Sequence, residues 1–589
     1  MNPQPARPTT YREHHNQQTT DSHYEIPHPG AVPMEVRAAI GPDSWNSDMV
    51  LRQYLAIHRE PTRADVNHGL EALRMVFTRI HVDALKDVQA QMAPREGPTF
   101  KYEMQGSLLR HKILVWRVFP INRLPAEILT MIFRAIRRSD ARYGNLFAIR
   151  LTWVCRHWRQ VALADPVLWG TIIFSDPYPW VRSFNYIERA GGGDLALKLI
   201  ESQEPEGNGD EIAPNLTVEQ VQEFLARISP KVHQLRAMIF TLDTWPATIE
   251  VLKFFSSPQA RRPKSLEHFE IHRPYMANMG EHWAPRDLAS PYIWNPTTLF
   301  GGEAPKLRSI CISGVGIDLT NFPAANLRTL DLRYITFALC PASGEFLAVL
   351  REARNLRRLH LDSAGPGMHN PLPYVRSPAH LPRLRDLFVG GGLPDWLHWL
   401  LSHIDAPQLP CLTLAKTDLL NDDLLLPFLV GRFPALESLA LYSVRYATDA
   451  KAPLLRWLST LNSLRVFKIT HCPSEVLLSW FFEDASRCRP EAERAAFAEE
   501  HPGAPSSLIM PNVSAIYFDH ERLQDIIAYV NQRKQHGGPL KRAYMPFAFH
   551  VAREEEPLVK ELDIELLRSS SYLKEDQDIE ARWNLQFGH

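Results

Sequence analysis

Chemistry in a protein needs nucleophiles, acids, bases or metal ligands held at fixed spacing, so the six cysteines and 24 histidines come first. The cysteines stand at positions 155, 311, 340, 411, 472 and 488, with no Cys-x-x-Cys pair. Zinc sites and disulfide frameworks use closer and more regular spacings. These thiols read as small buried or half-buried side chains in a reducing compartment. His14-His15, His23 and His28 are scattered through a polar tail and form no ligand set. Gly191 to Gly193 invite a phosphate-loop reading, but no Lys-Ser or Lys-Thr follows. The run leads instead into Leu195-Ala-Leu197-Lys-Leu199, which alternates like a strand, so a tight turn is expected. No His-Glu-x-x-His, Gly-x-Ser-x-Gly, Walker or dinucleotide-binding fingerprint is present. His360 and Asp362 alternate along one expected strand and so share a face. Such pairs are common by chance. The expectation is a protein that is not an enzyme and that needs no cofactor and no metal.

Charge excludes further classes. Lys plus Arg total 65 and Asp plus Glu total 66, a net charge of −1. That balance does not favour nucleic acid or an anionic membrane as partner. The longest apolar runs, at 424–430 and 476–482, fall far short of the ~20 residues a membrane helix needs. The opening MNPQPARPTTYREHHNQQTTDSH has no apolar h-region. An intracellular location, cytoplasmic or nuclear, is expected. Asn215-Leu-Thr and Asn512-Val-Ser fit the glycosylation pattern as chance matches.

What remains is binding, and the elements that would carry it fall in two blocks. In the first, Leu124, Ile128, Ile132 and Ile136 recur every four residues, beside Leu129 and Phe133, with Pro125 suited to a first helical turn. Leu151, Val154, Trp158 and Val161 recur at three and four, flanked by Cys155 and Ala162, before Asp165-Pro166 and Leu168-Trp169. These are amphipathic helices too short to hold a large core alone. The strings LPAEILTMIF and VCRHWRQVALADPVLW resemble an F-box of the divergent type common in fungal (basidiomycete-type) F-box-like proteins. Leu124, Pro125, Glu127, Ile128, Leu129, Ile132, Phe133, Val154, Cys155, Trp158, Ala162, Pro166, Leu168 and Trp169 match in order, with Val161 in place of isoleucine. The resemblance implies docking on a Skp-type adaptor and, through it, a cullin of a ubiquitin ligase complex. It implies adaptor contacts from Leu124, Pro125, Ile128, Leu129, Ile132, Phe133, Val154, Trp158, Leu168 and Trp169.

The second block is a repeat. Apolar-x-x-apolar-x-apolar, usually opening on Leu and often followed by Arg, occurs at 235, 266, 307, 327, 356, 384, 409, 436, 464 and 513. The spacing over 307–464 matches leucine-rich repeats, whose strands and helices bury a continuous core only when stacked. Helices are expected at 345–354, 395–403, 422–430, 453–461, 475–487 and 522–534. The regular family carries Asn or Cys three residues past the last apolar position. Here that place holds Val315, Ile335, Ala364, Gly392, Thr417, Val444 and Cys472, so a regular polar ladder is not expected. Long gaps before 307 and 513 read as insertions, one of them 490–511.

The fold class is therefore α/β: N-terminal all-α F-box helices, then an irregular leucine-rich-repeat solenoid with parallel strands on the concave face and helices on the convex one. The expected domains are a disordered tail (1–45), a helical segment with a short apolar seam from Val66 to Ala84 (46–118), the F-box-like domain (119–175), the solenoid (176–540) and a C-terminal cap or tail (541–589). Residues between the apolar strand positions would line the concave surface. They include Asp331, Arg333, Arg358, His360, Asp362, Asp386, Phe388, Tyr442 and Lys468, with both charge signs and an aromatic, which suits a protein surface. The expected role is the substrate-binding subunit of an SCF-type ligase, monomeric outside the complex. The alternative is a scaffold or regulatory binding protein with no ligase role.

Overall fold

The computed structural model describes residues 124–139, 144–201, 216–257, 263–273, 297–335, 339–367, 377–419, 424–446, 450–472, 509–518, 523–535, 538, 540–545 and 565–568. The tail expected over 1–45, the helical segment over 46–118, the helix at 475–487 and most of the insertion at 490–511 lie outside them. The chain divides into two compact units, residues 1–139 with 150–164, and residues 140–149 with 165–589.

In the first unit α1 spans Ala126–Ser139, α2 (Gly144–Val154) contributes its C-terminal half, and α3 spans Arg156–Ala164. Leu129, Phe133, Leu151, Val161 and Ala162 are buried. The Phe133 and Trp158 rings meet at 4.8 Å. The apolar stripe of Leu151, Val154, Trp158 and Val161 is divided between two helices, which meet at Cys155. The Cys155 sulfur accepts the Trp158 N–H at 3.4 Å, and its carbonyl accepts the Arg159 N–H at 3.0 Å. Cys155 therefore satisfies free donors of the first turn of α3, the work of a cap rather than of an apolar stripe.

In the second unit, among the described residues, fourteen strands form one parallel sheet in sequential order. They are β1 (Thr171–Phe174), β2 (Leu195–Ile200), β3 (Leu235–Thr241), β4 (His268–His272), β5 (Ser309–Ser313), β6 (Thr329–Arg333) and β7 (Arg358–Asp362). The series continues with β8 (Asp386–Gly390), β9 (Cys411–Ala415), β10 (Ser438–Tyr442), β11 (Val466–Thr470), β12 (Ala515–Phe518), β13 (Arg542–Met545) and β14 (Glu565–Arg568). Helices α4 (Pro166–Trp169), α5 (Val181–Ala190), α6 (Val218–Ile228), α7 (Trp245–Ser256), α8 (Ser343–Glu352), α9 (Pro394–Ser402), α10 (Leu425–Leu429), α11 (Lys451–Ser459) and α12 (Leu523–Gln535) run between strands or ahead of them. Parallel neighbours require crossovers, and crossovers of one hand put the connections on one face of the sheet. All ten repeat motifs coincide with strands. Their apolar positions, such as Leu330, Leu332, Leu359 and Leu361, are buried. The sheet runs through both insertions, since β4 pairs with β5 and β11 with β12. Gly191 to Gly193 form the turn between α5 and β2, with Gly191 at φ +56°.

An irregular sequence conceals a regular backbone. Each strand from β5 to β11 is followed by one residue of positive φ: Gly314, Tyr334, Ser363, Gly391, Lys416, Ser443 and His471. From Gly314 to Ser443, the N–H of that residue donates to the last carbonyl of the next strand, at 2.7 to 3.0 Å. The left-handed conformation disfavours a side chain by ~1–2 kcal/mol, yet five of the seven positions carry one. The inter-turn bond is the physical return.

The polar ladder is present in another place. Asn326, Asn355 and Asn512, each one residue before the leading apolar residue of its strand, donate from Nδ2 to the carbonyls of Pro305, Ala325 and Asn462 in the preceding turn. At the ordinary ladder place Cys472 accepts the Val444 N–H at 3.4 Å and donates to the Leu441 carbonyl at 3.5 Å. The other six ladder residues are buried and apolar or small, apart from Thr417, whose hydroxyl bonds Ala415 of its own strand.

The core changes character along the sheet. Around β1 to β5 it is aromatic: Phe174, Phe224, Phe240, Phe269 and Phe300 make a chain of tilted and edge-to-face contacts at 4.8 to 6.3 Å. From β5 onward leucine and isoleucine dominate. Gly170 opens β1 because any Cβ there would sit 2.3 Å from the Asp194 carbonyl oxygen.

Candidate functional site

Each unit presents its own surface. On the first, the structure divides the ten residues expected to meet an adaptor. Helix α1 carries two adjacent apolar stripes. Leu129 and Phe133 face inward and are fully buried, so they are core. Ile128 and Ile136 are exposed, with Ile132 half-buried between them. Pro125 and Val154 are exposed, and Leu124 and Trp158 are half-buried. Leu168 and Trp169 belong to the second unit and are buried there; Trp169 packs on Tyr186 at 5.4 Å, under the Arg189 guanidinium at 4.7 Å. The sequence could not divide these ten between contact surface and core; packing makes core of four, Leu129, Phe133, Leu168 and Trp169. The open stripe also includes residues the sequence reading passed over. Met131 is 66% exposed and Trp153 is 72% exposed, and Leu163 is exposed as well. Their signal was an apolar side chain lying off the buried stripe at helical spacing.

The second surface is the open face of the sheet. Strand register lines up Glu270, Cys311, Asp331, His360, Phe388, Thr413, Ala440 and Lys468 in one row. Ser313, Arg333, Asp362, Gly390, Ala415, Tyr442 and Thr470 form the row beside it. Arg358 and Asp386 are direct cross-strand partners in a third row, Nε to Oδ2 3.5 Å. The sequence-predicted residues are thus brought onto one face of the sheet, where Asp331 and Asp362 are buried beneath their partners. Asp331 accepts two bonds from the Arg333 guanidinium, at 2.7 and 2.6 Å. The His360 and Phe388 rings stack at 3.9 Å, 4° from parallel. His360 does not pair with Asp362. The Asp362 carboxylate holds Lys416 Nζ at 3.0 Å, and Lys416 also reaches the Tyr334 hydroxyl at 3.1 Å. Burial holds His360 below the ordinary imidazole range. Burial also raises the Cys311 thiol well above its ordinary value, so it offers no thiolate between its two carboxylate neighbours in the row.

Beyond β10 the face turns apolar. Val466, Ala515, Tyr517 and Tyr544 form a buried cluster with Cys411 packed against it. Lys468 stands half-buried at that border, and the open polar surface runs from about β4 to β10.

Sequence reading began this surface at β6 and missed its first strand. On β4, Glu270 Oε1 meets His268 Nε2 at 2.6 Å and Oε2 meets His272 Nε2 at 2.8 Å. The alternation His-x-Glu-x-His was the available signal. Those bonds hold the Glu270 carboxyl far below its ordinary 4.5. A depressed folded value contributes stability that is present above the unfolded value and lost as pH falls toward the folded one. Glu270→Gln is therefore expected to melt below wild type at pH 7. That gap narrows steadily below about pH 4.5. Equal gaps at pH 7 and pH 3 would show that the brace is not the cause. Lys416 had no sequence signal, because it lies past its strand in the left-handed turn.

Among the described residues no group of three or more His, Cys, Asp or Glu is placed to hold a metal ion, and no helix is long and apolar enough to cross a membrane.

Compared with known proteins, residues 121–175 match the F-box-like family. No curated protein matches the chain. Among solved structures, an internalin from Listeria monocytogenes aligns over 47% of this chain and 79% of its own, at 13% identity and a TM-score of 0.25. A score that low adds nothing to the strand register above, on which the description of the fold rests. The chain carries an F-box-like domain over residues 121–175, followed in sequence by a long parallel α/β repeat.

Proposed function

We propose that this chain is the substrate-binding subunit of a cullin–RING ubiquitin ligase. The F-box-like helices dock on a Skp-type adaptor, and the open face of the solenoid holds a protein substrate. The observation that carries the reading is the second apolar stripe of α1 together with Trp153 and Val154, open to solvent within the matched domain. An exposed apolar patch of this kind marks a protein contact. The solenoid face mixes both charge signs with a ring platform at His360 and Phe388, as a protein-binding surface does. The chain itself makes and breaks no bond in this scheme and needs no cofactor. It acts by proximity, raising the effective concentration of substrate near a ubiquitin-charged enzyme. An intracellular site of action follows from that role.

Co-purification with a Skp-type adaptor tests the first step. Wild type is expected to bring down the adaptor and cullin. Ile128→Asp with Trp153→Ala should weaken adaptor capture by tens of fold, since a buried apolar anchor is worth about 2 kcal/mol or more. Both residues are exposed, so the melting temperature should hold. A wild-type chain that captures no adaptor sinks the reading. Adaptor without cullin favours the second reading, a scaffold with no ligase role.

A further inference from the structure

One ring pair on the open face is left unfinished. His360 on β7 and Phe388 on β8 are register partners, and their rings stack 3.9 Å apart, 4° from parallel. Parallel rings on adjacent strands turn their outer faces along the row. The outer face of Phe388 therefore looks toward β9, where its register partner is Thr413. Thr413 is too short to cover a ring, and the next residue of the row, Ala440 on β10, is shorter still. Among the described residues Phe388 meets no second ring and no cation. Phe388, Thr413 and Ala440 are all only half-buried.

The opening is shaped for a flat group. Gly390, two residues past Phe388, lets the ring lean along its own strand, since a Cβ there would stand 3.2 Å from Phe388 Cε1. Tyr442, on β10 beside Ala440, is 37% exposed and bounds the far side. From β8 to β10 is about 10 Å, two strand spacings. A ring needs about 3.5–4 Å to carbon on each of its faces, so a single ring fits between them.

Charge says what that group is. The ionic residues around the rings are already matched: Asp331 with Arg333, Asp362 with Lys416, and Arg358 with Asp386. A phosphate or a guanidinium entering here would give up hydration beside charges that are already satisfied. Burial keeps the His360 imidazole neutral at pH 7, so the ring stack itself carries no charge. The Tyr442 hydroxyl has no hydrogen-bond partner among the described residues and leaves one uncharged polar group at the border.

We propose that this place in the row receives an aromatic side chain of a protein substrate, stacked on the outer face of Phe388 above Thr413 and Ala440 as the third ring of the series. Tyrosine and tryptophan also carry a polar edge for the Tyr442 hydroxyl, and both recur as anchors of protein interfaces. The inference rests on the reading of the solenoid face as the substrate-binding arm, and not on adaptor docking by α1 to α3.

A saturation-transfer NMR titration of the full chain tests it, with three blocked pentapeptides of Gly and Ser whose central residue is Trp, Leu or Arg. The Trp peptide is expected to bind about two- to tenfold tighter than the other two, the worth of one aromatic stack, with the strongest transfer at its ring protons. Phe388→Ala removes the platform, and Thr413→Trp fills the place with a ring of the chain's own; each should abolish the preference. Thr413 is half-buried on an open face, so the second variant empties no core, and matching melts exclude misfolding as the cause. Ile128→Asp with Trp153→Ala, on the other unit, should keep the preference. Equal binding of the three peptides, a preference that survives either solenoid variant, or one lost only with the Ile128 and Trp153 pair would each overturn the proposal. Displacement of the Trp peptide by a short oligothymidylate would assign the place to a nucleobase and overturn it as well. Adaptor capture is read separately. A chain that keeps the Trp preference but captures no adaptor sinks the ligase reading and leaves this one standing; adaptor capture without the preference does the reverse.

Discussion

Phe240→Ala is expected to destabilise the solenoid by about 3–5 kcal/mol, the range for emptying a fully buried aromatic site. Phe240 is fully buried on β3 and touches three other rings: Phe224 at 6.3 Å, Phe255 at 5.9 Å and Phe269 at 6.3 Å. Removing it deletes buried apolar area and breaks the ring chain between β2 and β4. In a stacked array each turn rests on its neighbours, so a defect at one turn weakens the turns on both sides. A loss of this size is a large fraction of the ~5–15 kcal/mol that holds a typical domain. Denaturant unfolding of the full chain reads it. Leu393→Ala, at an exposed position, should stay within ~0.5 kcal/mol of wild type. A loss below about 1 kcal/mol for Phe240→Ala would mean the ring chain is not close-packed.

Arg533→Ala is expected to release the C-terminal strands at a cost of about 3 kcal/mol, because it strips buried carbonyls of a charged donor. Arg533 is fully buried near the end of α12. Its guanidinium donates to the carbonyls of Ile509, Met510, Pro511 and Val513, the stretch that leads into β12, and to the Tyr529 hydroxyl. One side chain thus clamps the entry to β12 against the helix that follows it. Arg533→Lys should recover only part of the loss, since a compact ammonium cannot span the same set of oxygens. Amide exchange resolves the effect by region. Ala515 to Phe518 should lose protection while β6 and β7 keep theirs. Unchanged exchange at β12 in the alanine variant would show that the clamp does not hold that strand.

Neither residue stands out in the chain as written. Phe240 is one apolar residue of a repeat motif among ten. Arg533, in the last turn of an expected helix, reads as an ordinary solvent-exposed cation at a helix C-terminus. The strands were legible because leucine at alternate positions with a fixed period has one low-energy solution, a stacked parallel sheet. Two further turns carried the same signal more weakly. Trp169, Ile172 and Phe174 at β1, and Leu540, Ala543 and Met545 at β13, follow the repeat pattern with substituted residues. The first of these was absorbed by the F-box resemblance, which extends across it. The break at Cys155 was not legible, because nothing in the apolar period marks where a helix ends when the cap is a thiol.

The stretch from Leu124 to Trp169 shows where the division lies. Sequence alone determined that it is helical, apolar on one side and similar to an F-box, since periodicity and residue order are properties of the chain. It could not decide which apolar residues are core. Helix α1 carries Ile128, Ile132 and Ile136 beside Leu129 and Phe133, and both stripes have the same local chemistry. Only the packing of Trp158 on Phe133 makes one stripe core and leaves the other open. The arginines that follow the leading Leu in four successive repeats obey the same rule. Leu followed by Arg is visible in the sequence, but four arginines become neighbours only when strand pairing sets Arg308, Arg328, Arg357 and Arg385 side by side. Composition and period are encoded locally, whereas burial and the meeting of charges depend on residues far apart in the chain.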